Sequence, residues 1–260
     1  MTVTRAVAAA SKLRDTAGRL FSLLFVFAIY ACTSRDRATS PEEVRRLAGS
    51  TQARQARQAA EDRLRAVVRA YDEHTPLTLG LVAVNDLCAG GQARELFFPT
   101  GDDQYRIRCS MVVTAYYGAD PRRIADVLDG VFTAGDHDAS ETGASGQTIP
   151  FEHDHVRRRL VDHYRGLGPN PVGPDASETT QVSASGQTLS WDTVRSSRRR
   201  LVEEPRPCTM HDPPVVRCLR EPAGQTVAGI RGKHGMVFEL ELSTVYYYRV
   251  SKKGDVQAWG

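Results

Sequence analysis

The densest collection of chemically capable side chains lies in two runs, Asp136-His137-Asp138 and Glu152-His153-Asp154-His155. Imidazole and carboxylate are common ligands of zinc and related divalent ions. On a strand end, His153 and His155 would point the same way. Together with Asp136, or with Glu152 in its place, His153 and His155 form the candidate metal site, and a metal-activated water there would make the chain a hydrolase. We favour a plainer reading, because spacing alone supplies no convergent geometry. In it Asp154 is the N-cap of a helix HVRRRLVDHY and the histidines are solvated loop residues.

Other chemistry is sparse. Asp136-x-Asp138-x-Ser140 resembles the opening of an EF-hand loop, but Glu141 stands at the glycine position and Gln147 at the bidentate glutamate position, so that reading fails. The chain carries no GxSxG elbow, P-loop, GxGxxG or HExxH, the usual signals of hydrolases, nucleotide binders and metalloproteases. Ser145 and Ser185 sit in polar turns with no base in view, and an unactivated hydroxyl is a poor nucleophile. Arg157-Arg158-Arg159 and Arg198-Arg199-Arg200 read as solvated helix faces balanced by nearby acids, or as a patch for anionic lipid or cell-wall polymer. In Tyr246-Tyr247-Tyr248 strand alternation sets Tyr247 opposite its neighbours, where it packs on a strand or stacks on a sugar. No cofactor is implied, and the inventory favours a non-catalytic chain over an enzyme.

The elements that must position these residues read as α+β. Ser40-Pro41-Glu42-Glu43 is a helix start, with Ser40 as cap and Pro41 in the first turn. The helical pattern weakens at Gly49-Ser50 and resumes through Ala56, Ala60, Leu64, Val68 and Tyr71. Strands follow at 77–87 and at 104–118, the latter with Tyr105, Ile107, Cys109, Met111, Val113 and Ala115 on one face. Asp120-Pro121 opens a helix whose Ile124, Val127, Leu128 and Val131 would cover that face. VVRCLRE, QTVAGIRG and MVFELELSTVYYYRV read as a strand, a hairpin segment and one long final strand. The expected fold is an antiparallel sheet with helices packed on one face.

An internal repeat runs through the middle. DASET occurs at 138–142 and 175–179, ASGQT at 144–148 and 184–188, and RRRLV at 157–161 and 198–202. The order is the same each time, which predicts a tandem duplication, each copy a polar loop, a short strand and an Arg-rich helix. Gly166 to Pro174 is a Pro/Gly stretch that cannot continue a helix. The expected organisation is a leader over 1–31, a tether over 32–52, an α+β half over 53–165, a linker over 166–180 and a second α+β half over 181–260.

The leader decides the compartment. Arg5, Lys12, Arg14 and Arg19 precede an apolar run from Leu20 to Ala31, the anatomy of a signal segment. A dozen helical residues rise about 18 Å against a hydrocarbon core of roughly 30 Å, too little for a stable span. The run ends in Ile29-Tyr30-Ala31-Cys32. This resembles the lipobox of bacterial lipoproteins at Ile29, Ala31 and Cys32, and departs from it at Tyr30. The resemblance is confined to the leader, and it implies that Cys32 carries the lipid and anchors the chain at the extracytoplasmic face of the cell membrane. Of the five cysteines, Cys88, Cys109, Cys208 and Cys218 then remain. Four allow three connectivities, and pairing of near neighbours, Cys88–Cys109 and Cys208–Cys218, is the expectation because each pair flanks a plausible turn. The net charge is +3. The leader holds four basic residues and one acid, so the rest balances at 30 of each, which leaves no electrostatic footprint for nucleic acid. The sequence therefore predicts an exported, lipid-anchored envelope protein that binds a protein, a cell-wall polymer or a small ligand, with a metal-assisted hydrolase or a single-pass membrane-anchored scaffold as the alternatives.

Overall fold

A computed structural model describes residues 37–93, 101, 104–142, 148–173, 176–196, 199–206 and 215–259. Two helices come first, α1 (Pro41–Ala48) and α2 (Thr51–His74). Gly49 ends the first, and two serines start the pair: Ser40 Oγ accepts from the Glu43 N–H at 3.3 Å and Ser50 Oγ from the Ala53 N–H at 3.2 Å. Each satisfies an N-terminal amide that has no intrahelical acceptor. The long antiparallel strands β1 (Thr78–Gly90) and β2 (Tyr105–Ala119) follow, then a short 3-10 turn at Pro121–Arg123, α3 (Ile124–Thr142) and α4 (His155–Arg165).

The remaining elements are β3 (Gln181–Ala184), β4 (Gln187–Trp191), β5 (Val215–Glu221), α5 (Val227–His234), β6 (Met236–Leu242), β7 (Val245–Ser251) and β8 (Val256–Ala258). All eight strands join one antiparallel sheet in the order β3-β4-β6-β2-β1-β5, with β7 on β2 and β8 on β7. Strands from both sides of the Gly166–Pro174 stretch therefore share that sheet. The fold is α+β, as its periodicity predicts.

β2 is the spine. One edge pairs with β1 along nearly its whole length, and the other is divided between β6, at residues 114–119, and β7, at residues 105–111. The expected single final strand is thus two strands broken at Ser243-Thr244, where the Ser243 N–H turns to the Gly186 carbonyl at 2.7 Å. One face of β2 presents Ile107, Cys109, Met111, Val113, Ala115 and Tyr117, all fully buried against the helices. α1 to α4 contribute Val44, Leu64, Val68, Tyr71, Leu128, Phe132 and Leu160 to the same core. The opposite face carries a smaller cluster in which Leu81, Tyr116 and Val237 meet Val227 and Ile230 of α5. That helix replaces the expected hairpin segment. Thr226 caps it, its Oγ1 accepting from the Gly229 N–H at 2.9 Å, and Val227 and Ile230 are buried one turn apart, which is helical spacing.

The Cys88–Cys109 disulfide joins directly opposed residues of β1 and β2. Cys218 is also in a disulfide; its expected partner Cys208 lies outside the described residues, as does Cys32.

The two sequence repeats do not adopt the same structure. The first DASET closes α3, whereas residues 176–179 of the second are irregular; the first RRRLV is helical in α4, whereas residues 199–202 of the second are irregular. Residues 149–151 are likewise irregular where 187–191 form β4. The expected pair of strand-and-helix units is not what forms, and local context explains why. Asp154 caps the first Arg-rich segment, with Oδ1 accepting from Arg157 N at 2.7 Å, and Leu160, Val161 and Tyr164 give it a buried face. The second is anchored by Val202 and stopped by Pro205, which disfavours helix in the residue before it.

α2 is held to the sheet by charge as well as by packing. Asp86 of β1, 2 % exposed, receives Arg57 Nε at 2.7 Å, Arg217 Nε at 3.3 Å and the Tyr247 hydroxyl at 2.6 Å. Glu61 accepts from Arg65 at 2.9 Å and also pairs with Arg217, and Arg65 reaches Glu221 at 2.8 Å. Burial alone would raise the Glu61 carboxyl, but the Arg217 and Arg65 guanidiniums outweigh it and hold it below its ordinary range.

Asp86→Ala leaves two guanidiniums facing a buried gap, and it should lower stability by about 3–5 kcal/mol in urea unfolding. Glu61 ionises more readily folded than unfolded, so its contribution is complete above pH 4.5 and fades as acid titrates the native carboxyl. The unfolding midpoints of wild type and Glu61→Gln should therefore differ at pH 7 and converge towards pH 3.

Candidate functional site

The predicted metal residues do not converge. His153 lies in the entry to α4, and both its ring nitrogens face carboxylates of α3, Nδ1 at 2.7 Å from Asp136 and Nε2 at 3.1 Å from Asp129. Its backbone N–H also donates to Asp136 at 2.9 Å, and Arg165 of α4 closes the cluster on Asp129 at 3.0 Å. Partial burial works against ionisation of Asp136, but the His153 ring and amide prevail and lower its pKa. His155 is the exposed first residue of α4 and takes no part, and Asp154 is the cap that its position suggests. Among the described residues no group of three or more His, Cys, Asp or Glu is arranged to hold a metal ion. The His153, His155 and Asp136 metal site is thus corrected to a hydrogen-bonded brace between α3 and α4.

Tyr247 needs a similar correction. The pairing of β2 with β7 shifts between Cys109 and Ser110, so the residue between Tyr246 and Tyr248 is an extra one in its strand. Such a bulge re-aims a side chain. Tyr247 turns onto the helix side with Tyr248 and is fully buried against Asp86, while Tyr246 remains 47 % exposed. Of the serines, Ser185 is exposed at the β3–β4 turn, and Ser145 lies outside the described residues.

The open half of the sheet holds what alternation alone conceals. Past α5, a strap of residues 199–206 crosses the face opposite the helices. The strap is fixed by Asp192, 3 % exposed, whose carboxylate accepts from Val202 N at 2.7 Å, Val237 N at 2.9 Å and the Arg231 guanidinium at 2.8 Å. Between strap and sheet runs a groove of about 630 Å³. Its floor includes Thr114, Tyr116, Ser190, Glu239 and Glu241, and Glu203, Glu204, Arg200 and Arg206 stand along the strap.

Glu239 is the unusual group in that groove. Burial pushes its carboxyl up and Glu241, two residues along the strand, pushes the same way; hydrogen bonds from Tyr116 and Ser190 only partly offset them. The Tyr116 hydroxyl is raised in turn by burial and by the Glu239 charge. The arrangement places carboxyl groups, hydroxyls and guanidiniums around one concave surface, which is what recognition of a small polar ligand requires. Its signal in the sequence is the Glu-x-Glu of Glu239 and Glu241, which alternation assigns only to a wet face.

The chain matches no protein-family model, no curated protein and no solved structure. Among the described residues no helix is long and apolar enough to cross a membrane.

Because Glu239 holds its proton more tightly folded than unfolded, it favours the native state below pH 4.5 and opposes it as pH rises through the native value. Glu239→Gln should therefore raise the unfolding midpoint at pH 7 and leave it nearly unchanged at pH 4, the reverse of Glu61→Gln.

Proposed function

We propose that this is an exported lipoprotein, held at the outer face of the cytoplasmic membrane through Cys32, that binds its partner non-catalytically in the groove between strap and sheet. The observation that carries the compartment is the Cys88–Cys109 disulfide, both of whose sulfur-bearing residues are fully buried in the centre of the sheet. Structural disulfides of this kind belong to oxidising compartments. Closing the 21-residue separation between them stabilises the fold by about 3 kcal/mol in the chain-entropy model. The basic, apolar leader and its Ile29-Tyr30-Ala31-Cys32 end supply a route to that compartment and an anchor within it.

The groove supplies the binding place. Its concavity, its paired Glu239 and Glu241, and its strap pinned by Asp192 form a rigid polar surface, and rigidity lowers the entropy cost of taking up a ligand.

Cell fractionation tests the assignment. Wild type should stay with membranes, with an intact mass showing loss of residues 1–31, an added diacylglycerol and oxidised cysteines; Cys32→Ala should appear in the soluble exported fraction with its fold unchanged. Recovery of wild type from the cytosol with Met1 attached and every thiol alkylatable would falsify the proposal.

A further inference from the structure

We propose that the groove takes a zwitterion of about tripeptide length, its ammonium against Glu239 and Glu241 and its carboxylate on the Arg200 guanidinium. The inference rests on the groove as the binding place and adds the chemical class of what occupies it.

The groove departs from the way this protein treats its other carboxylates. The buried acids Asp86, Glu61 and Asp192 each face a guanidinium, from Arg57, Arg65 and Arg231 in turn. In the groove that partner is missing. Glu239 is half-buried, and among the described residues neither it nor Glu241 nor Glu203 forms an ion pair. After burial itself, the neighbours that act on Glu239 include Glu241 and Glu203, so the carboxyl groups crowd one another. A cationic group entering the groove relieves that repulsion.

Arg200 supplies the opposite charge at the β4 end of the strap. Its backbone is clamped to Thr193, the N–H donating to Thr193 Oγ1 at 2.9 Å and the carbonyl accepting from Thr193 N at 2.9 Å. Its guanidinium, in contrast, has no hydrogen-bond or ion-pair partner among the described residues. Such a fork matches a carboxylate with two parallel hydrogen bonds.

Strand register sets the span between the two charges. Ser190 lies opposite Glu239 and Thr188 opposite Glu241, and the Asp192 N–H continues that ladder onto the Val237 carbonyl at 3.1 Å. Arg200, beside Thr193, is therefore displaced from Glu239 by three strand positions, about 10 Å at the rise of a strand. An extended tripeptide separates its termini by about the same distance. The groove volume of about 630 Å³ also suits a small ligand. Asp192 ties Val202 of the strap to Val237 of β6, so the spacing is fixed before a ligand arrives. A ligand of one sign meets an unfavourable group in either case, a polyamine at Arg200 and a polyanion at the glutamates.

The test is isothermal titration calorimetry of the purified full-length chain at pH 7 with triglycine, N-acetyltriglycine, triglycinamide and cadaverine. Triglycine should bind saturably, and each capped form at least about tenfold more weakly, the scale of one lost charge-assisted hydrogen bond. Glu239→Gln or Glu241→Gln should weaken triglycine by a similar factor while leaving the residual affinity for N-acetyltriglycine unchanged. Arg200→Gln should weaken it equally and leave the residual affinity for triglycinamide unchanged. Arg199→Gln, next to it in the strap but outside the groove lining, should bind as wild type. Since Glu239→Gln should raise the unfolding midpoint at pH 7, binding lost there is not lost folding. No saturable binding of triglycine, a capped form that binds as tightly, or tighter binding of cadaverine would each overturn the zwitterion. Triglycine bound equally by wild type and by every groove variant would overturn the groove as the binding place as well. Neither result bears on the Cys32 assignment, which stands or falls on fractionation.

Discussion

A single strand, hydrogen-bonded along both edges, sets the geometry of this molecule. β2 is apolar at every second position over its fifteen residues, so one of its faces has to be roofed by helices and the other is free to differ. Its length fixes the rest. β1 matches it on one side, but on the other no single partner does, and β6 and β7 share that edge with a break at Ser243-Thr244. The break lets the hairpin of β3 and β4 extend the sheet beside β6 while β8 extends it beside β7.

Apolar contact alone does not secure α2 on this sheet. The helix presents Arg57, Glu61 and Arg65 along one seam, and β1, β5 and β7 answer with Asp86, Arg217, Glu221 and Tyr247. The buried members, Asp86 and Glu61, are tolerable only when paired and hydrogen-bonded, and alternating guanidinium and carboxylate along the seam meets that condition. The same requirement explains Asp192, which ties strap, α5 and β6 at one carboxylate. Groups that look reactive in a linear reading are used here to join elements.

The face that the first four helices leave open carries the groove. There the strap and the sheet enclose Glu239 and Glu241, and farther along Tyr246 and Trp259 are exposed. The helix-covered face holds the disulfide and most of the core, whereas the open face carries the polar variety. A surface supported by a continuous sheet keeps its side chains in register, which is how recognition groups are best held.

Periodicity determined a good part of this structure directly. The break at Gly49-Ser50, the alternation of β2, the helix after Asp120-Pro121 and the Asp154 cap are local signals, each satisfied within a turn or a strand, and each was legible. The Cys88–Cys109 pair was legible for the same reason, being close in sequence and flanking a turn. Tertiary structure decided the rest. RRRLV is a helix where an aspartate caps it and an apolar face awaits it, and an irregular strap where Asp192 and Pro205 constrain it. Tyr247 is core because a bulge, invisible to strict alternation, turns it inward. His153 meets Asp136 and Asp129 because α3 brings them across from α4, and its distance from His155 was unreadable because ligand geometry depends on where whole elements dock. Local propensity acts over a few residues, whereas register, bulges and buried charge are settled between segments far apart in the chain, and the open face of this sheet belongs to the second class.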